Sequence, residues 1–148
     1  MAALRYHWIR LRATAHPTED LAKVESAVRN AAGVADLAVQ AEPLETHHGA
    51  TGHLVHATLD KSRAVRDALG RILALPGARE ELAATLDART DDDGVFYLRL
   101  DKQEAYAGRL VLTRGEDAVQ LRLKMEHYPA TREAALESLK ALLDSGRP

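Results

Sequence analysis

Apolar and polar residues alternate along four stretches of the chain, in the period-two pattern of half-buried strands. These predicted strands cover residues 6–13, 53–60, 95–100 and 118–125. A weaker fifth strand is predicted over residues 35–41, with Leu37 and Val39 facing inward, and a polar loop over residues 42–52. Elsewhere apolar residues recur at helical spacing. This pattern predicts a helix that begins at a Thr18 cap and ends at Gly33, a helical turn over 102–107, and helices over 62–75, 78–87 and 131–143.

The order of these elements is β-α-β-β-α-α-β-(α)-β-α. The strands are amphipathic, not continuously apolar, so we expect helices on one face of the sheet and an open second face. The predicted fold class is α+β, with a mixed, largely antiparallel sheet of about five strands. No repeat or long linker divides the sequence, which indicates a single domain over residues 1–148.

Composition excludes cysteine-based sites and argues against a membrane-spanning or secreted protein. The chain has 148 residues, no cysteine and a formal net charge of −2. It therefore lacks disulfides, thiolate metal ligands and thiol nucleophiles. No run approaches the roughly 18 apolar residues of a membrane span, and the first residues do not resemble a signal peptide. We expect a soluble cytoplasmic protein that needs no cofactor and does not enter a membrane.

The predicted open face combines cationic and aromatic side chains. Alternation assigns to it Tyr6, Trp8, Arg10, Arg12, His56, Thr58, Tyr97, Arg99, Asp101, Gln120, Arg122, Lys124 and Glu126. Arginine and lysine neutralise phosphates, and tyrosine or tryptophan stacks on unpaired bases. Single-stranded or looped RNA suits such a surface because its bases are free to splay out. The predicted RNA contacts are Arg10, Arg12, Arg99, Arg122, Lys124, Tyr6, Trp8, Tyr97, His56 and Lys102.

Two alternatives use the same residues. Solvated strands often carry Arg, Lys and Thr, and aromatic residues also stabilise cross-strand pairs. The face could equally serve a protein–protein adaptor or a homodimer, with Tyr6 and Trp8 as the anchor.

Metal binding and catalysis have less support. The histidines of residues 47–56 suggest a metal-dependent hydrolase, but His53 and His56 are three apart in a strand and point to opposite faces. The run from Asp91 to Gly94 is typical of a turn before a strand. Asp101 is predicted to cap the helical turn that follows the strand. No motif pairs a nucleophile with a base. We therefore expect neither a metal site nor an enzyme.

The segment DDGVFYLRLDKQ, residues 92–103, resembles the predicted RNA-binding, exosome-linked family of archaea. The resemblance continues through AYAGRL (105–110), LRLK (121–124) and YPATRE (128–133), and HPTED (16–20) also fits. It implies a fold similar to the ribosomal protein that binds 5S rRNA, and RNA binding without catalysis. Exosome or other RNA-processing proteins are the partners that it suggests.

Overall fold

The computed structural model describes residues 4–45 and 49–148. Its strands are β1 (Arg5–Ala15), β2 (Gln40–Glu45), β3 (Thr51–Leu59), β4 (Phe96–Asp101) and β5 (Ala118–Glu126). Its helices are α1 (Leu21–Ala32), α2 (Ser62–Leu73), α3 (Ala78–Ala84), α4 (Lys102–Tyr106) and α5 (Arg132–Ser145). The strands form one antiparallel sheet in the order β2-β3-β1-β5-β4. The predicted α+β class with five strands is confirmed.

Strands β4 and β5 alternate strictly between buried and partly exposed residues. Their buried side chains are Phe96, Leu98, Leu100, Val119, Leu121, Leu123 and Met125. This pattern leaves the other side of each strand for polar residues, as the alternation predicts. The likeness to the 5S rRNA-binding ribosomal protein stays a prediction.

The chain forms two compact units, each with its own buried residues. Unit 1 comprises Met1–Ile9, Leu59–Leu98 and Arg122–Pro148, and unit 2 comprises Arg10–Thr58 and Arg99–Leu121. In unit 1, α3 packs against α2 and α5. In unit 2, α1 packs against α4, and the Asn30 side chain donates a hydrogen bond of 2.9 Å to the Ala105 carbonyl. The single-domain interpretation stays a prediction.

Polar side chains cap the starts of α1 and α4. The Asp20 side chain, not Thr18 as predicted, accepts the Ala22 N–H at the start of α1. Thr18 lies too early because the chain turns before the helix begins. The predicted end at Gly33 is confirmed, with φ at 73°. The predicted cap of α4 is also confirmed, since the Asp101 side chain accepts the Glu104 N–H at 2.9 Å.

Strand β2 differs from its prediction. Sequence patterning places it over residues 35–41, but it runs over Gln40–Glu45, which overlaps the predicted strand at residues 40–41 and otherwise lies in the expected polar loop. It pairs antiparallel with β3, from Gln40 opposite His56 to Glu45 opposite Thr51. All six of its residues are exposed, so no apolar alternation marks it. Pro43 fits this edge position because it has no N–H to donate.

The start of β1 breaks the expected alternation. Tyr6 is buried at 3% exposure, and the residue after it, His7, is exposed. The assignment of Tyr6 to the open face is therefore wrong. Tyr6 packs within unit 1, where the Arg66 guanidinium of α2 lies 5.8 Å from its ring centroid. From Ile9 onward the predicted phase returns.

Among the described residues, no helix combines the length and apolar character that crossing a membrane requires.

Candidate nucleic-acid interface

Three neighbouring strands bring an arginine between two aromatic rings within unit 1. Arg122 of β5 has its guanidinium carbon 6.0 Å from the ring centroid of Trp8 and 5.5 Å from that of Tyr97. Each contact is a cation–π attraction that fixes the side chain. In the described part of the chain the Arg122 Nε is buried without a hydrogen-bond partner. The two rings thus help to hold this cation.

The turn before β4 orients Tyr97. The Tyr97 hydroxyl donates to the Asp91 carboxylate at 2.9 Å, and the same carboxylate accepts the backbone N–H groups of Asp93 and Val95. Burial alone would raise the pKa of Asp91, but these hydrogen bonds and the nearby Arg122 charge outweigh it and hold the pKa below its usual value. The predicted turn is confirmed, and its first aspartate positions an aromatic ring.

Lys124 lies two residues beyond Arg122 on the same side of β5. Its ammonium donates a 2.6 Å hydrogen bond to the Asp93 carbonyl. A lysine has three N–H donors, so this contact leaves donors for a ligand. We call Trp8, Tyr97, Arg122 and Lys124 the aromatic surface.

The remaining predicted contacts lie in unit 2. Arg10 and Arg12 are exposed on β1, and Arg99 is half-buried on β4 with a 3.5 Å contact to the Gly115 carbonyl. The His56 Nε2 lies 3.1 Å from a carboxylate oxygen of Glu42 on the neighbouring strand. His56 is therefore already engaged by an acid, which the sequence did not indicate.

Lys102 is not available to a ligand. It is 3% exposed, and its ammonium contacts the Thr14 carbonyl at 2.9 Å and carboxylates of Glu19 and Asp117 at 2.8 Å each. These three acceptors use all three N–H donors. The prediction that Lys102 contacts RNA conflicts with this geometry, because alternation along β4 gives no information about the residue after the strand.

Hydrogen bonding keeps this cluster charged. Burial would lower the pKa of Lys102, yet the hydrogen bonds to Asp117 and Glu19 raise it above its usual value. The hydrogen bond from Lys102 in turn holds the pKa of Asp117 below its usual value. Burial would raise the pKa of Glu19, but Lys102 and the His16 N–H lower it.

The same cluster brings together three ligand types that sequence spacing did not reveal. Atoms of His16, Glu19 and Asp117 lie within 4.8 Å of one another. Their separation along the chain gives no metal-binding motif. The Lys102 ammonium already supplies a positive charge at both carboxylates, which disfavours a metal ion there. Of the predicted alternative metal residues, His47 and His48 lie outside the described residues.

Comparison with known proteins places the chain in a family. The family model described as RNA binding matches residues 8–125. The chain is 31% identical over 147 residues to RNA-binding protein PAB1135 of Pyrococcus abyssi (strain GE5 / Orsay), covering 95% of this chain and 96% of that protein.

Two solved structures agree with this match. Mth689, a DUF54 protein from Methanothermobacter thermautotrophicus, is 34% identical with a TM-score of 0.78, over 94% of this chain and 98% of its own. AF2318 from Archaeglobus fulgidus, also of DUF54, is 30% identical with a TM-score of 0.82, over 93% of this chain and 99% of its own. The relatives are archaeal, as the sequence resemblance predicts. The chain belongs to this RNA-binding family.

Proposed function

We propose that the protein binds single-stranded or looped RNA through the aromatic surface. The observation that carries the proposal is the placement of Arg122 between the rings of Trp8 and Tyr97. Family membership supports RNA as the ligand.

The aromatic surface offers both interactions that unpaired RNA uses. Bases stack on aromatic rings and on guanidinium planes, and the three planar groups on adjacent strands provide such surfaces side by side. Lys124, two residues along β5, supplies a cation for a phosphate. The Arg122 Nε has no hydrogen-bond partner among the described residues, and the Arg122 charge acts on the nearby Asp91. A phosphate of the RNA backbone adds a second negative charge for this guanidinium.

Binding is tested by fluorescence anisotropy with a labelled single-stranded RNA. We expect Trp8→Ala to weaken the wild-type affinity by roughly 1–3 kcal/mol, the range for one base–aromatic stack. The matched control is Tyr106→Ala, since Tyr106 is a 44% exposed aromatic residue of unit 2 outside the aromatic surface. Equal losses in the two variants, or no RNA binding by the wild type, would refute the proposal.

We also propose that the protein acts by binding and not by cleaving RNA. The RNA recovered after the titration should run intact on a denaturing gel. Time-dependent fragments that purified Trp8→Ala produces at a reduced rate would overturn this part.

We propose further that the protein is an accessory factor of exosome-type RNA processing or degradation and that it acts in the cytoplasm. The support for this role is the resemblance of residues 92–103 and 128–133 to an exosome-linked family. Sedimentation of the purified protein with a purified archaeal exosome core, with and without RNA, tests it. Co-sedimentation is the expected result, and separate boundaries at micromolar concentrations would contradict it.

The adaptor or homodimer hypothesis has lost one of its two anchors, because Tyr6 is buried within its own unit. The remaining anchor is Trp8. Sedimentation equilibrium tests the hypothesis: a monomer mass that Trp8→Ala does not change would leave RNA binding as the function of this surface.

A further inference from the structure

A second surface feature of unit 2 shares no residue with the aromatic surface. It is a groove of about 670 Å³ beside the end of β4 and the start of β5. This volume lies within the roughly 300–1,000 Å³ of small-molecule pockets. Its wall includes the buried Lys102, whose three contacts hold strand β1, the start of α1 and the turn before β5 together. The contacts of Lys102 thus fix this wall of the groove.

Two arginines reach the groove from strands on either side of β5. Arg12 lies on β1 and Arg99 on β4. Two strand spacings, about 10 Å, separate β1 from β4 across the sheet. Both arginines line the groove, so their long side chains face the same space. Among the described residues Arg12 has no acidic partner, and the only contact found for Arg99 is the long one to Gly115. Arginine–phosphate pairs are strong because the guanidinium can donate two parallel hydrogen bonds.

The groove also offers acceptors at its strand-end rim. Glu116 and Asp117 precede β5, and Glu19 precedes α1. These three acids balance the three cations Arg12, Arg99 and Lys102, so net charge does not make the groove a general polyanion site. Glu116 is exposed and can accept a hydrogen bond. A matching ligand carries both a phosphate for the arginines and hydroxyl donors for an acceptor such as Glu116.

We propose that this groove binds one ribonucleoside phosphate, either free or as one nucleotide of an RNA chain. Arg12 and Arg99 hold the phosphate, and Glu116 accepts from the ribose hydroxyls. A ribonucleotide fits because its 2′-hydroxyl is both a donor and the group that distinguishes RNA from DNA. The site goes beyond RNA binding at the aromatic surface and does not depend on it.

Titration of the full chain with ribonucleoside 5′-monophosphates, followed by amide NMR shifts, tests the site. We expect saturable shifts around Arg12, Arg99 and Glu116 with a dissociation constant on the order of 1 mM, which corresponds to about −4 kcal/mol. Arg12→Ala and Arg99→Ala should each weaken binding about tenfold, as expected for a lost charge-assisted hydrogen bond. Arg63→Ala, which removes an exposed arginine of unit 1, is the matched control and should change nothing.

Two further ligands test the chemistry. Deoxynucleoside monophosphates should bind several-fold more weakly than the ribose forms, and Glu116→Gln should reduce that difference. Inorganic phosphate binding as tightly as the nucleotides would overturn the proposal. So would shifts that neither arginine variant weakens, or the absence of saturation.

Titration with a short oligoribonucleotide distinguishes a free nucleotide from one nucleotide of an RNA chain as the ligand. Tighter binding of a trinucleotide than of a monophosphate at the same amides assigns the groove to an RNA chain, and equal binding assigns it to free nucleotides. Trp8→Ala should leave the monophosphate titration unchanged. Failure of RNA binding at the aromatic surface is therefore distinguishable from failure of the groove.

Discussion

The ammonium of Lys102 lies 2.8 Å from the carboxylate of Glu19, although 83 residues separate the two along the chain. Asp117 approaches the same ammonium at 2.8 Å. Removal of the lysine would leave two carboxylates close together with no cation between them. The contact therefore stabilises unit 2.

Replacement of this lysine should cost stability. We expect Lys102→Met to lower the free energy of unfolding by about 3 kcal/mol, the lower part of the range for a broken buried pair, because Asp117 is half exposed. Urea denaturation measures the change. Lys140→Met on the exposed side of α5 is the matched control, with an expected change within about 0.5 kcal/mol. A loss in Lys102→Met no larger than the control's would contradict the prediction.

Acid should destabilise the protein through three carboxylates. The pKa values of Glu19, Asp91 and Asp117 are all lowered in the folded chain. A lowered folded pKa contributes stability that is present above the unfolded value of about 4, and the stability disappears as pH falls through the folded value. Urea midpoints should thus fall steeply below about pH 4. Lys102→Met should show a shallower decline, and identical slopes would show that the lysine cluster does not cause it.

The Tyr6 hydroxyl should reduce stability at high pH. It is buried without a hydrogen-bond partner in the described part of the chain, and burial raises the pKa of Tyr6 to about 12. Because the unfolded tyrosine ionises near 10, stability is lost as pH rises from about 10 to 12. Tyr6→Phe should remove this loss and stabilise the protein by about 1 kcal/mol at neutral pH. Thermal unfolding of the wild type and of Tyr6→Phe, at neutral pH and between about pH 10 and 12, measures both effects. Destabilisation of Tyr6→Phe at neutral pH would show that the hydroxyl has a hydrogen-bond partner.

Gly94 should tolerate no side chain. Its φ is 79°, and an added Cβ would lie 2.7 Å from the Cβ of Ala135. Gly77 has a φ of 75° with open space around it, so Gly77→Ala tests the backbone strain alone.

We expect Gly77→Ala to cost roughly 1–3 kcal/mol in unfolding free energy and Gly94→Ala to cost more. Ala135→Gly should recover part of the difference in urea titrations. Equal costs in the two alanine variants would show that contact with α5 does not constrain the turn.

Strand periodicity is enough to predict most of the sheet and all four residues of the aromatic surface. Alternation of side chains along each strand predicts one shared face for Trp8, Tyr97, Arg122 and Lys124. Their mutual contact could not be predicted, since it depends on strand order.

Three other features have no pattern in the neighbouring sequence that would predict them. Strand β2 is exposed on both sides and has no apolar alternation. Tyr6 is buried and meets Arg66 of α2, which lies some 60 residues further along the chain. Lys102 meets Glu19 and Asp117 only in the folded chain, so no spacing in the sequence predicts the cluster.

The intrinsic fluorescence of Trp8 tests the central claim most directly, because it is the only tryptophan in the chain. Titration with a single-stranded RNA should quench it saturably, as a base stacks on or near the ring. For the two phosphate contacts that Arg122 and Lys124 offer, the logarithm of affinity should fall against the logarithm of salt concentration with a slope of roughly −1.4. Arg122→Ala should weaken binding at least about tenfold and make the slope shallower by about 0.7. Fluorescence that RNA leaves unchanged, or an affinity that Arg122→Ala does not alter, would contradict the account.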